Sequence, residues 1–175
     1  MERSYEDSAP PLPEGTLCTD QVLADGSVVF SLTAHALAEI ERHRWIESEK
    51  RGGDIGTEAY EHWLVHCWKG WVRSKLIEHL YGWRRWSAFT PGLFGLMRRG
   101  TVEREVPAEV LHRVASIFSQ GGENLDVITW AVDDSDCMPN VLWLLEQIDI
   151  NAARHRLVPD HLRLFLPLSE TDHGP

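Results

Sequence analysis

Apolar positions recur at helical spacing on both sides of a glycine pair, Gly52-Gly53, and the rest of the chain is read outward from there. Ahead of the pair, Ala36, Leu37 and Ile40 mark a narrow stripe on a helix over about 33–51, with Thr33 as its expected cap and Trp45 and Ile46 to one side. Beyond it, Tyr60, Trp63, Leu64, Cys67, Trp68, Trp71, Val72, Leu76 and Leu80 keep the i, i+3, i+4, i+7 rhythm of a second helix over about 57–81. The glycines can take positive φ where the first helix stops, and Asp54 or Thr57 can cap the second. So short a connection predicts two antiparallel helices. Gly70, in mid-helix, is expected to mark a close backbone approach, and Gly82 to end the helix.

The later pattern is also helical. Thr90-Pro91 and Gly100 bracket Leu93, Phe94, Leu96 and Met97 as a short helix. Pro107 opens another, closed by Gly121, with Val110, Leu111, Val114, Ile117 and Phe118 on one face. The β-branched run Leu125–Val132 fits a strand or a helix, and the helical neighbourhood favours the helix. An acidic loop, 133–136, precedes a helix from Pro139 to about His155, and a last short one covers 160–166. Residues 27–32 are β-prone but have no evident partner strand, so they read as an extended lead-in. The expected fold is therefore all-α: a single compact bundle of five to six helices over 25–168, built on an antiparallel hairpin. A proline-bearing, poorly ordered arm (1–24) precedes it and a short tail (169–175) follows.

Composition narrows the class. At 175 residues and 43% hydrophobic the chain can bury one core. Cys18, Cys67 and Cys137 are odd in number and form no CxxC pair, which suggests neither a disulfide framework nor a zinc knuckle. No apolar run approaches membrane-spanning length, and a soluble, cytoplasmic protein is expected. The net charge of −10 argues against a general nucleic-acid-binding surface. Its distribution is uneven: Lys69–Arg104 holds eight basic and two acidic residues (+6), leaving 9 basic against 25 acidic elsewhere (−16). That polarity can orient a partner, or be matched inside the fold.

Three constellations could carry chemistry. Folding back about Gly53 sets His43 opposite the gap between His62 and His66, with Glu39, Glu47, Glu58 and Glu61 nearby, and facing helices can hold a metal in this way. The Glu-x-x-His spacing of carboxylate-bridged diiron bundles is absent, and two of these histidines fall on the polar side of the second helix, so solvated residues are the simpler reading. Arg73 and His79 resemble the arginine–histidine spacing of small all-helical ribonucleases, where the pair would supply phosphate stabilisation and acid or base. Arg156 and His161 repeat that spacing, which shows how easily it arises, and both members of the first pair read more simply as polar-face residues. The third is Trp83-Arg-Arg-Trp86, whose alternating indoles and guanidinium groups can anchor a protein, stack on bases, or place the tryptophans in the core.

The favoured reading is a non-enzymatic interaction protein, an accessory subunit or adaptor. It would present Lys69, Arg73, Trp83, Arg84, Arg85, Trp86, Arg98 and Arg99 to an acidic or mixed protein partner, with no cofactor. The alternatives are an enzyme, either metal-dependent through His43, His62 and His66 or a nuclease through Arg73 and His79, and a nucleic-acid-contacting subunit using 69–104. All depend on the indoles of Trp63, Trp68 and Trp71 being covered, because a monomer rarely leaves so large an apolar patch bare.

Overall fold

The computed structural model describes residues 19–133 and 136–148. Among them are seven α-helices and a small three-stranded sheet, so the mostly helical class holds while the count of five to six helices and the absence of strands do not. In chain order these are β1 (Gln21–Val22), β2 (Val28–Phe30), α1 (Leu32–Arg51), α2 (Glu58–His66), α3 (Trp68–Leu80), β3 (Arg85–Trp86), a 3₁₀ turn Pro91–Leu93, α4 (Leu96–Glu103), α5 (Ala108–Ser119), α6 (Asn124–Val132) and α7 (Met138–Gln147). The helix expected over 160–166, the end of the one expected to reach His155, and most of the two terminal segments lie outside the described residues.

The β-prone segment 27–32 does have partners. β2 pairs antiparallel with β1, which falls inside the stretch read as an arm, and parallel with β3. Strands of two and three residues leave no periodic trace, and β3 joins β2 from more than fifty positions away. Asp20 fastens this corner to α1: its carboxylate accepts from the Ser31 backbone N–H at 2.8 Å and lies 3.1 Å from His35 Nε2. Ser31, rather than Thr33, is the cap, its hydroxyl accepting from Ala34 N–H at 3.1 Å.

α1 ends as its glycines predict. Gly52 has φ 72°, and the N–H groups of Gly52 and Gly53 return to the carbonyls of Glu49 and Ser48. Asp54 does not cap α2; its carboxylate accepts from Gly56 N–H in the turn and receives both arms of Arg44 at 2.9 and 2.6 Å. Thr57 stands at the cap position without a side-chain bond.

The single helix expected over 57–81 is interrupted at Cys67 (φ −111°, ψ −31°), dividing α2 from α3. In an unbroken helix Trp63 and Trp71 would stand about 12 Å apart along the axis. Around the break Trp63, Trp68 and Trp71 pack mutually at 5.6–5.8 Å between ring centroids. The covering of the stripe comes from the chain itself: Trp63 and Trp68 are buried and Trp71 is half-buried against the core. α3 packs against α2, α5 and β3, and α5 in turn against α4, α6 and α7. α6 confirms the helical reading of the β-branched run. Gly100 lies inside α4 rather than beyond it, its Cα face against Leu111 and Trp143.

Gly70 marks no close approach, since a Cβ there would meet nothing within 4 Å. The approach occurs at Gly82, where φ is 75° and a Cβ would stand 3.3 Å from Gly95 Cα. Two substitutions therefore separate. Gly70→Ala is expected to stabilise the protein by up to about 1 kcal/mol through helix propensity, whereas Gly82→Ala is expected to cost about 1–3 kcal/mol through strain and displacement of the Gly95 backbone. Urea denaturation midpoints of the two variants check the pair.

Candidate functional site

Packing begins at the end of α3. His79 falls three residues after Leu76 and seven after Val72, on the buried stripe, and its side chain is fully buried. Nδ1 accepts from the Trp86 backbone N–H at 3.0 Å, which leaves Nε2 as the protonated nitrogen, donating to the Thr90 carbonyl at 3.3 Å. Phe89 and Phe94 meet the ring edge-on, each at 5.4 Å. The His79 carbonyl accepts from Gly82 N–H and Gly95 N–H. Burial is the main cause that holds this imidazole below its ordinary pKa, and it stays neutral. The residue expected on a polar face is thus a member of the core, and that placement of His79 is corrected.

Trp86 is corrected likewise. It is 1% exposed, with its indole N–H donating to Glu78 at 3.0 Å and Lys75 Nζ lying 5.3 Å over its ring. The neighbouring indole goes the other way. Trp83 is 68% exposed and stacks on Tyr81 with centroids 4.8 Å apart and planes 15° apart, and the Tyr81 hydroxyl bonds His112 Nδ1 at 3.1 Å.

The other residues of the basic segment are dispersed. Arg84 is exposed, with its guanidinium 5.3 Å over the Phe30 ring. Arg98 and Arg99 are exposed in the first turn of α4, just past Gly95, and Arg99 donates to the Gly92 carbonyl. Because Gly82 and Gly95 touch, Trp83 and Arg84 on one segment and Arg98 and Arg99 on the other leave the same junction. Arg73 and Arg85 are half-buried, Arg73 reaching towards Gly121. Lys69 is exposed roughly 16 Å along α3 from its C-terminal end. Tyr81 and His112 were not singled out from sequence; the only local sign was an aromatic residue on each side of Gly82.

The histidine cluster forms where the hairpin sets it. His43 Nε2 and His62 Nδ1 are 3.0 Å apart, with ring planes within 8° and centroids 5.1 Å apart, so the rings meet edge to edge through one shared proton. His66 lies beside His62 at 4.6 Å between centroids. Of the nearby carboxylates, Glu39 pairs with Arg42, Glu47 with Lys50 and Glu58 with Arg51, while Glu61 is exposed. Among the described residues no group of three or more His, Cys, Asp or Glu is arranged to hold a metal ion. The arrangement is a hydrogen-bonded imidazole pair bridging α1 and α2.

Burial, then the neighbouring His62, lowers the pKa of His43. With His43 and His79 both depressed, the unfolded chain binds more protons than the folded one as the pH drops below the ordinary histidine value of about 6.5. Stability is therefore complete above that value and declines on acidification towards pH 5. Urea unfolding at pH 7.5 and 5.5 should show the decline, and His43→Phe should reduce it. A stability independent of pH over this interval would contradict the assignment.

No protein-family model, curated protein sequence or solved structure matches this chain.

Proposed function

We propose that the chain is a non-enzymatic helical interaction protein, an accessory subunit or adaptor that engages an acidic or mixed protein partner through Trp83, Arg84, Arg98 and Arg99. The supporting observation is the exposed indole of Trp83, stacked on Tyr81, whose hydroxyl bonds His112. An indole already stacked before binding loses less conformational freedom on contact, and tryptophan and arginine lead the residue types at energetic centres of interfaces. The exposed guanidinium groups add positive potential on a chain whose net charge is −10, which favours a local contact with carboxylates over a long polyanion.

The test is photocrosslinking of the full chain in its native cell, with Trp83 kept and the photoreactive residue at exposed position 88, followed by affinity measurement with the recovered partner. Trp83→Ala and the pair Arg84→Glu with Arg98→Glu should each weaken binding at least about tenfold, or 1.4 kcal/mol. A crosslinked product that is nucleic acid, or a partner bound equally well by both variants, would overturn the reading.

A further inference from the structure

A separate site lies on α1. Glu41, Trp45 and Glu49 are spaced four apart, so they form one row along the helix, and all three are exposed. With Arg44, the Gly52–Gly53 cap and Asp54 they line an open cleft of about 660 Å³. Its single guanidinium is already neutralised: Arg44 is bonded twice to Asp54 and lies 3.6 Å from Glu41. The two cations of the last turn are also engaged, Lys50 with Glu47 and Arg51 with Glu58.

Two groups of the row remain without a partner among the described residues. Trp45, 66% exposed, has no ring or cation contact, and the Glu49 carboxylate has no ion pair. The cleft also opens at the C-terminal end of a 20-residue helix, where the backbone dipoles contribute negative potential. Cations are attracted to an indole face, to a carboxylate and to a helix C-terminus, and these three features converge here. We infer that this cleft receives the arginine or lysine side chain of a basic peptide segment on a partner protein, the cation lying over the Trp45 ring with Glu49 beside it. The opposite charge of site and segment selects this occupant over an apolar helix or an anion. No residue of the Trp83 surface takes part, so either proposal can fail alone.

The experiment uses the full chain, a hexa-arginine peptide and its uncharged hexa-citrulline counterpart at about 0.15 M salt, where long-range attraction is screened. Indole N–H resonances are followed by NMR, with Trp45 assigned through Trp45→Phe. Hexa-arginine should shift the Trp45 indole saturably, whereas hexa-citrulline should leave it unmoved. Binding should weaken about tenfold in Trp45→Ala and several-fold in Glu49→Gln, and Trp45→Phe should keep part of it. Both side chains are exposed, so these variants should fold as the parent does. Equal binding by all variants, or shifts only at other indoles, would show diffuse attraction to an acidic protein and overturn the inference. Self-association of the parent that Trp45→Ala abolishes would make the occupant a second copy, and overturn it equally.

Discussion

His79 enters the core as a neutral imidazole with each nitrogen committed to a backbone group, one from β3 and one from the segment before the 3₁₀ turn. Its own carbonyl takes the N–H groups of Gly82 and Gly95. A single residue thereby fixes the return of the chain after α3, the start of α4 and the position of β3 beside β2. Burying two polar nitrogens is tolerable because both are satisfied; losing either partner would leave a desolvated group worth about 1–3 kcal/mol. The same commitment sends neighbouring indoles in opposite directions: Trp86 inward onto Glu78, Trp83 outward onto Tyr81.

Charge follows from this packing. Part of the basic segment packs on its own fold: Lys75 pairs with Glu78 and lies over two indoles, and the exposed Arg84 and Arg104 lie over Phe30 and Trp143. Trp83, Arg84, Arg98 and Arg99 are exposed on the two segments that leave the Gly82–Gly95 contact. The acidic excess elsewhere is not uniform either. Around α1 most carboxylates have basic partners close in sequence or across the turn, and Glu49, one turn after Trp45, does not.

What could be read from sequence was local. The 3.6-residue rhythm and the Gly52–Gly53 pair specify the hairpin, and the hairpin sets His43 against His62, because each inference spans only a few turns of chain. What could not be read was non-local or below the resolution of periodicity. Strands as short as Arg85–Trp86 carry no pattern, and the interruption at Cys67 leaves the apolar rhythm intact while three indoles nest around it. His79 was legible in principle, since it shares a stripe with Val72, Leu76 and Leu80, but residue type outweighed position. For the same reason Trp83 and Trp86, three apart and chemically identical, could not be told apart until the partner of each was known.

The central claim is that His79 is buried, neutral and protonated on Nε2, and imidazole NMR tests it directly. Nitrogen and carbon chemical shifts of the His79 ring, followed from pH 8 to 5, should report one Nε2–H tautomer throughout, with a titration displaced below the ordinary value of about 6.5. A ring that titrates at the ordinary value, or that samples both tautomers as a solvated imidazole does, would contradict the account.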